Sequence, residues 1–271
     1  MLLFLVTPTF RAGDFLRQTT ASVRVALDNC PSAHLVYIIV DGGSTDRSVQ
    51  AAEFEHPRCR LHVISERDRG MYDALTKGFR LAEGDWCFYL NAGDLLFPSA
   101  FLALERLSTF YPKVNWVTFR TVGVDEGGIP FGIRTPMPVN FRIIKNGGYG
   151  RCLPYVQQEN SVWRRELLTH VDLDVLGNFK LAGDYYLWRS LASATGVNQA
   201  TVEALWAGFR VHEGQLSEAR GAYRAEVANM VRRAGPAERF WDRCYGFFYG
   251  LMYHAPGRLK RMVTKRYIRL V

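Results

Sequence analysis

A polar turn that ends an apolar run carries the first group in this chain that could do chemistry. Residues 84–94 are Gly-Asp-Trp-Cys-Phe-Tyr-Leu-Asn-Ala-Gly-Asp, so the run from Trp86 to Leu90 stops at a small turn that ends in Asp94. A strand that presents one carboxylate on a tight turn at its C-terminal end can hold a divalent metal against phosphates. Asn-x-Gly-Asp is also ordinary turn chemistry. Whether this turn belongs to a nucleotide site or is a plain turn therefore depends on the residues of the other loops.

Two earlier loops also follow apolar runs and offer groups suited to a nucleotide. In the segment 7–10, Thr-Pro-Thr-Phe, the hydroxyls of Thr7 and Thr9 can face a base, and Pro8 fixes the turn. In the segment 41–46, Asp-Gly-Gly-Ser-Thr-Asp, the glycines, Gly43 among them, let a ligand approach the backbone. Asp41 is an acceptor suited to the imide N–H of a nucleobase.

The third loop, residues 65–70, runs into a predicted helix. Its Asp68 can accept a hydrogen bond from a base or a ribose, and Arg69 and Lys77 can face a diphosphate. For Lys77, and for Asp73 at the start of the helix, a solvated helix charge is the favoured alternative. The chain has neither a Gly-x-Gly-x-x-Gly pattern nor a Gly-Lys-Ser/Thr loop in these positions, which excludes the two common phosphate-binding motifs.

Alternating strands and helices must position these loops. Short buried strands are predicted at 2–6, 35–40, 60–64 and 86–90, and helices at 14–27, 45–54 and 71–82. Asp14 and Ser44 are the predicted N-caps of the first two helices. Repeated strand–helix–strand units predict an α/β fold whose mostly parallel central sheet is flanked by helices. The four loops then share the carboxyl edge of that sheet, where such folds bind ligands.

The second half of the chain is less regular. We predict one strand over 114–124, a Gly/Pro-rich hairpin or loop over 127–138, and helices over 184–194 and 218–233. A break at Gly235-Pro236 separates the last helix from the tail.

Taken in order, these motifs resemble the nucleotide-binding half of bacterial family 2 glycosyltransferases. The motifs are Thr7-Pro-Thr-Phe, Val40-Asp-Gly-Gly-Ser-Thr-Asp, Ser65-Glu-Arg-Asp-Arg-Gly-Met-Tyr-Asp-Ala and Leu90-Asn-Ala-Gly-Asp. Gln158-Glu-Asn-Ser-Val-Trp-Arg-Arg and Leu181-Ala-Gly-Asp-Tyr-Tyr-Leu-Trp are similar to the acceptor half. The resemblance covers about residues 1–215. It implies a GT-A-type (Rossmann-like) fold, a nucleotide-diphosphate sugar donor, a divalent metal and inversion at the anomeric carbon.

The resemblance also implies roles for individual residues. It assigns nucleotide-sugar binding to the four loops, at residues Thr7, Pro8, Thr9, Phe10, Asp41, Gly43, Asp68, Gly70, Asn91, Ala92, Gly93 and Asp94. Asp94 takes the place of the metal ligand for Mn²⁺ or Mg²⁺. The chain departs from the usual pattern because Asn91 and Gly93 stand where acidic residues are common. One protein carboxylate, phosphate oxygens and waters can still hold such a cation.

Within the same resemblance, Asp184 corresponds to the catalytic base that deprotonates the acceptor hydroxyl. The alternative for Asp184 is a helix N-cap. Glu159 is the second candidate base. Gln158, Trp188 and His212 are further candidates for contacts with donor or acceptor, although a tryptophan at such a position is more often part of the core.

Composition locates the positive charge of the chain. The 271 residues carry a net charge of +8. Residues 232–271 contain ten Lys or Arg and two acidic residues, so the whole excess lies there. We therefore expect a glycosyltransferase domain over 1–231, with a nucleotide half of about 1–97 and an acceptor half of about 98–231, followed by a basic, aromatic tail over 232–271. Five scattered cysteines without Cys-x-x-Cys spacing indicate a reducing cytosol.

The tail has two interpretations. Basic side chains with apolar and aromatic faces are typical of a helix lying on an anionic membrane. The alternative is a helix packed on the body with a solvated face. With the resemblance, the first interpretation predicts an enzyme at the cytoplasmic face of the plasma membrane, using a UDP-sugar as default donor and a glycan or lipid-linked acceptor for cell-surface polysaccharide. A nucleotide-binding protein without catalysis and a nucleic-acid binder remain as alternatives, although we expect no nucleic-acid partner.

Overall fold

The computed structural model describes residues 1–213, 215, 218–232 and 234–270. Arg233, the end of the predicted helix 218–233 and one of the basic tail residues, lies outside the described residues. The strands within the described residues are β1 (Leu2–Thr9), β2 (His34–Asp41), β3 (Cys59–Ser65), β4 (Trp86–Tyr89), β5 (Leu95–Leu96), β6 (Trp116–Thr118), β7 (Thr121–Val124), β8 (Pro130–Arg134), β9 (Ser161–Arg164), β10 (Gln199–Val202), β11 (Ala207–Arg210) and β12 (Tyr267–Ile268). The α-helices there are α1 (Asp14–Asp28), α2 (Ser48–Ala52), α3 (Met71–Phe79), α4 (Ala100–Phe110), α5 (Phe141–Lys145), α6 (Leu173–Leu176), α7 (Gly183–Leu191), α8 (Arg220–Met230), α9 (Pro236–Tyr253) and α10 (Gly257–Val263).

The central sheet has eight strands in the order β12-β10-β6-β9-β4-β1-β2-β3. Its strands pair in parallel except for β9, which runs antiparallel to β4 and β6. The predicted α/β fold with a mostly parallel sheet is therefore confirmed. Thr9 lies opposite Asp41, and Asp41 lies opposite Ser65, so the loops that follow β1, β2 and β3 begin side by side.

Hydrophobic cores cover both faces of the central sheet. Residues of β1 alternate between them: Phe4 and Val6 belong to one core, and Leu3 and Leu5 to the other. Because both faces are covered, β1 is a continuous apolar run rather than an alternating one. Helix α3 packs on the first face and α1 on the second, which holds the loop before each helix at the carboxyl edge.

The predicted strand over 114–124 is wrong as a single element. It divides into β6, in the central sheet, and β7, in a four-stranded sheet of order β5-β11-β7-β8. The chain changes sheets at Phe119 and Arg120, whose N–H groups donate to the carbonyls of Asn160 and Ala204. The predicted hairpin or loop over 127–138 is a hairpin in its first part, because β7 and β8 pair antiparallel.

Both predicted N-caps are wrong. Helix α1 has Gly13 at its N-cap, and Asp14 lies inside the first turn, where it accepts hydrogen bonds from Arg17 and Gln18. Helix α2 begins later than predicted, at Ser48, and Ser44 instead donates to Asp41. Local composition marks the right region, but the short acidic and hydroxyl side chains find partners elsewhere in the loop.

Part of the tail is built into the body. Strand β12 pairs in parallel with β10 at the end of the central sheet. Asp242 of α9 is buried and pairs with Arg142 and Arg151. The buried Lys260 donates to the carbonyl of Thr135. Among the described residues, no helix combines the length and the apolar composition needed to cross a bilayer. The domain boundary that we predict at residue 231, between the glycosyltransferase domain and the tail, stays a prediction.

Candidate active site

The turn after β4 places Asp94 in a buried position at the carboxyl edge. The N–H of Asp94 donates to the carbonyl of Asn91 at 3.0 Å, which closes a β-turn. Gly93 has a φ of 115°, a conformation that side-chain-bearing residues rarely adopt. The Thr19 hydroxyl of α1 donates to the Asp94 carbonyl and accepts from the N–H of Gly93. The turn is therefore fixed by its own geometry and by α1.

The carboxylate of Asp94 has two protein donors. The backbone N–H of Arg210 donates to Oδ1 at 2.9 Å, and the side-chain amide of Gln158 donates to Oδ2 at 3.0 Å. Burial raises the pKa of Asp94, and these donors oppose the rise only in part. A buried carboxylate whose ionised form is under-stabilised is well suited to gaining a cation.

Arg210 links the turn to two other parts of the chain. Its side chain is 2 % exposed, and Nε donates to the carbonyl of Gly93 at 2.7 Å. The other guanidinium nitrogens donate to the carbonyls of Asp125 and Glu126 and to Oε1 of Gln18. A single cation at the end of β11 thus joins the acidic turn, α1 and the β7–β8 hairpin.

Two further carboxylates, Glu159 and Asp184, approach Asp94. Glu159 is buried; its Oε1 accepts from Asn160 at 2.7 Å, and its Oε2 has no hydrogen-bond partner. Burial, and next the charge of Asp94, raises the pKa of Glu159. Asp184 adds a smaller contribution of the same sign. Both other carboxylates therefore lie close enough to Glu159 to raise its pKa, and the three form one acidic cluster.

Asp184 projects from the first turn of α7 and is held by two tyrosines. Its Oδ1 accepts from Tyr223 of α8 at 2.8 Å, from Tyr72 of α3 at 3.4 Å and from the N–H of Tyr185 at 2.7 Å. Among the described residues no donor reaches Oδ2. Burial raises the pKa of Asp184 to about 6. The N-cap position is occupied by Ala182, so the cap interpretation of Asp184 is wrong.

The nucleotide loops contribute unequally to the edge. Thr7 is fully buried and shares a hydrogen bond of 2.9 Å with the Tyr37 hydroxyl, and Pro8 is a buried residue of β1. Thr9 is also buried, but its hydroxyl has no partner. Phe10 is 57 % exposed, so its ring is available for stacking on a flat ligand.

Asp41 and Asp68 differ in their freedom. Asp41 is buried, and both its oxygens are taken by Ser44 and Ser65, so in this structure it shapes the loop around Gly43. Asp68 accepts from the N–H of Gly70 at 2.9 Å through Oδ1. A Cβ built on Gly42 would lie 2.8 Å from Oδ2 of Asp68 and 3.2 Å from the Phe10 ring. The missing side chain at position 42 therefore lets the first three loops meet.

Buried polar atoms without partners gather at this edge. They are Thr9 Oγ1, Tyr89 Oη, Asn91 Oδ1, Gln158 Oε1 and Glu159 Oε2. Folded proteins rarely leave such atoms unpaired, so these atoms indicate a place for a polar ligand.

The oxygen atoms around Asp94, the candidate metal ligand, determine which cation could bind there. Within the described residues, no three His, Cys, Asp or Glu side chains are grouped to hold a metal by themselves. Asp94 remains the single candidate carboxylate, close to the unpaired oxygen of Asn91. The oxygen donors and the raised pKa values fit a hard cation that takes most of its ligands from phosphate and water.

Of the remaining residues predicted to contact donor or acceptor, Gln158 is hydrogen-bonded to Asp94, but Trp188 does not reach the carboxyl edge of the sheet. The Trp188 ring is 1 % exposed and packs between Trp116 and Trp163, so the prediction that it contacts a sugar is wrong. Its long apolar ring was recruited to the core. His212 is half-buried, packs against Phe15 at 5.4 Å between ring centroids, and lies two residues after Arg210.

Sequence analysis missed Arg210, Tyr72, Tyr223 and Glu226. Glu226 accepts from the N–H groups of residues 180–182 and so fixes the approach to α7. Arg210 could have been found as a lone cation closing an apolar strand, because buried arginines are almost always paired. Tyr223 and Glu226 lie three residues apart on α8 and gave no signal, since their partners are about forty residues earlier in the chain.

Comparison with known proteins shows which family the chain resembles in sequence. Residues 4–171 match the family model of Glycosyl transferase family 2. A PGL/p-HBAD biosynthesis glycosyltransferase of Mycobacterium tuberculosis is 35% identical over 108 residues, which cover 39% of this chain and 40% of the relative. The uncharacterized glycosyltransferase YibD of Escherichia coli is 28% identical over 137 residues, which cover 47% of this chain and 38% of the relative. The chain thus spans about two fifths of the length of the curated relatives that it matches.

Solved structures share the fold at low sequence identity. S. aureus TarS 1–349 in complex with UDP-GlcNAc superposes with a TM-score of 0.59 at 14% identity, covering 97% of this chain and 70% of that one. The mannosyltransferase PcManGT from Pyrobaculum calidifontis, in complex with GDP-Man and Mn²⁺, gives 0.55 at 16% identity, covering 96% and 77%. The GT-A-type fold implied by the motifs is confirmed, and since the family model matches more than half of its residues, this chain belongs to glycosyl transferase family 2.

Proposed function

We propose that this protein transfers a sugar from a nucleotide-diphosphate sugar to an acceptor hydroxyl with inversion, as a step in cell-surface polysaccharide synthesis. One observation carries the proposal: Asp94, Glu159 and Asp184 share one buried site at the carboxyl edge, where both oxygens of Asp94 accept from protein donors while Glu159 and Asp184 each keep one oxygen free of donors among the described residues. Separate carboxylates for the donor and for the acceptor are what inverting transfer requires.

Asp184 is the proposed base. Its Oδ2 takes the proton of the acceptor hydroxyl as the acceptor oxygen bonds to the anomeric carbon, and the bond from that carbon to the diphosphate oxygen breaks. With a pKa of about 6, Asp184 is ionised at neutral pH and remains a stronger base than an exposed aspartate. The tyrosines on Oδ1 orient the carboxylate without using the reactive oxygen. Glu159, buried and bonded to Asn160, is the less favoured base.

Asp94 would hold the divalent cation, Mn²⁺ or Mg²⁺, with Asn91 beside it. Such a cation supplies charge stabilisation to the departing diphosphate. The chain's own contribution is a fixed turn, because Thr19 and Arg210 prevent Asp94 from turning away.

The base and ribose are proposed to lie over Gly42 and Gly43, between the Phe10 ring and Asp68. Asn91, Ala92 and Gly93 would approach the ribose and diphosphate. UDP-sugars are the first donors to test, since TarS was solved with UDP-GlcNAc. PcManGT was solved with GDP-Man, so guanosine donors belong in the same screen.

A thermal-shift screen of UDP, GDP and their sugars, with and without Mn²⁺, tests donor binding. A ligand at about one hundred times its Kd stabilises the fold by about 2.7 kcal/mol, so binding is readily measured. Donor hydrolysis by wild type, Asp94→Asn and Asp184→Asn then tests catalysis, and Asp28→Asn, an exposed carboxylate at the far end of α1, is the matched control. We expect turnover by wild type and the control only.

The competing candidate is a nucleotide-binding protein without catalysis, which the single carboxylate of the turn favours. Stabilisation by a nucleotide sugar without hydrolysis would establish this competing function. Hydrolysis that survives Asp184→Asn would exclude Asp184 as the base. Stabilisation by none of the ligands would contradict the proposal as a whole.

A further inference from the structure

The outer face of α9 is apolar where a helix lying on a protein body normally carries polar side chains. Asp242 and Tyr249 are buried and mark its inner face. On the opposite side Phe240, Phe247 and Leu251 are 61 %, 73 % and 61 % exposed. Steps of seven and four residues place these three in one row along the helix, which we call the outer stripe.

The stripe continues an apolar trend at this end of the chain. Trp241 beside it is also exposed, and its ring meets that of Phe240 at 5.7 Å between centroids. In α10, Leu259 and Met262 are exposed as well. Scattered exposed apolar residues need no explanation, but rings and aliphatic chains concentrated on two successive helices mark an interaction surface.

The exposed, unpaired charges of the described tail residues are of one sign, and two of them, Arg239 and Arg243, lie on α9 beside the outer stripe. Exposed cations without an ion pair among the described residues are Arg239, Arg243, Arg258, Lys265 and Arg269. The acidic residues of the tail are already used, since Glu238 pairs with Arg232, and Asp242 pairs with two arginines of the body. The unpaired charge that the described residues of the tail expose is therefore positive.

We propose that α9 lies in the interface of an anionic lipid bilayer, with the outer stripe in the acyl boundary and the arginines at the phosphate headgroups. Only a partner that is both apolar and anionic matches the two features together. A second copy of this chain would bring arginines against arginines, and a nucleic acid would leave the stripe in water. Charge complementarity thus selects lipid.

The same helix reaches the acceptor half of the protein. Tyr249, on the inner face of α9, lines one cavity together with Gln157 and Asn160, the neighbours of Gln158 and Glu159. A bilayer held by the outer stripe would lie on the far side of α9 from this cavity. The membrane inference stands on surface composition and does not depend on the proposed reaction.

Co-sedimentation of the full chain with vesicles tests the inference. We expect binding to phosphatidylcholine vesicles that contain about one third phosphatidylglycerol, and at least tenfold weaker binding to pure phosphatidylcholine. Binding should weaken as salt is raised, because exposed charges are screened. No sugar nucleotide is present in the assay, so its failure and a failure of donor hydrolysis are separate results.

Two pairs of variants separate the contributions. Phe247→Ser with Leu251→Ser removes the centre of the outer stripe and should weaken vesicle binding at least tenfold. Phe110→Ser, at the equally exposed end of α4, is the matched control and should bind as wild type does. Arg243→Glu with Arg258→Glu should abolish the preference for anionic vesicles, whereas Arg24→Glu on α1 should keep it. Thermal unfolding checks that each variant is folded.

Equal binding to neutral and anionic vesicles, or no loss in the Phe247/Leu251 variant, would overturn the inference. Sedimentation that shows a dimer lost in that variant would assign the stripe to a second copy. Tighter binding to duplex DNA than to anionic vesicles would assign the charge to nucleic acid instead.

Discussion

Replacing Arg210 by methionine should destabilise the protein and loosen the acidic turn. Methionine keeps much of the apolar stem but removes four side-chain hydrogen bonds, to Gly93, Asp125, Glu126 and Gln18. Residues 125 and 126 are exposed, so water can replace the guanidinium there. The carbonyl of Gly93 is buried, and the half-buried Gln18 amide also loses its partner.

The size of the effect follows from these two inner acceptors. A buried acceptor left unpaired costs about 1–3 kcal/mol, so we expect a loss of about 2–4 kcal/mol in the free energy of unfolding. At roughly 2–4 °C for each kcal/mol in a chain of this size, Tm should fall by about 5–15 °C. Arg210→Lys, which can keep one of the bonds, should give a smaller loss.

Thermal unfolding followed by circular dichroism measures this loss. Arg60→Met is the matched control: Arg60 is exposed and makes one ion pair, with Glu83, so its Tm should change by less than about 3 °C. A Tm for Arg210→Met no lower than that of the control would refute the account of Arg210 as the fastener of the turn.

Three further changes test the site. Activity should rise with pH through about 6, the raised pKa of Asp184, and Asp184→Asn should lower kcat by at least a hundredfold and abolish this rising limb of the pH profile. Folded Asp184 holds its proton up to a higher pH than unfolded Asp184 does. The free energy of unfolding should therefore fall as pH rises from about 4 to about 6 in wild type, and less so in the variant, as urea unfolding would show. Tyr223→Phe removes a hydrogen bond that lowers the pKa of Asp184, so the limb should move to higher pH, and an unmoved limb would count against Tyr223 as a positioning residue. Gly183→Ala places a Cβ 2.4 Å from the Tyr72 ring and should cost about 1–3 kcal/mol in stability, whereas Gly250→Ala, with open space on α9, should not destabilise.

The fold of residues 1–97 could be predicted from the sequence for a physical reason. Strands buried on both faces are apolar runs bounded by polar loops, so β1, β2, β4 and the loops at their ends can be predicted from the order of residues alone. The parallel sheet then follows from the helices between them. The prediction that 60–64 is a buried strand is wrong in one respect, because β3 is the edge strand of the sheet and none of its residues is buried. Asp94 and Asp184 were found as separate candidates, but their closeness to Glu159 required the fold.

The failures share a different cause. The division of 114–124 into two strands depends on Asn160 and Ala204, which lie far along the chain. Their carbonyls accept hydrogen bonds from the backbone N–H groups of residues 119 and 120. The tie between Arg210 and Gln18 joins residues 192 apart. No window of sequence contains both partners of such a contact, so propensity and periodicity could not predict it.

The unusual composition of the turn at 91–94 has a structural reason. Gly93 has a φ of 115°, and a Cβ there would lie 3.7 Å from the Arg210 side chain, so an aspartate at this position would be strained by its backbone alone. An aspartate in place of Asn91 would bring a fourth carboxylate to a site where burial already raises the pKa values of Asp94, Glu159 and Asp184. The neutral amide keeps an oxygen at that place without adding charge. Glu159 and Asp184, which come from other parts of the fold, supply the carboxylates that the turn lacks. Arg210 fixes the turn near them through its hydrogen bond to the Gly93 carbonyl.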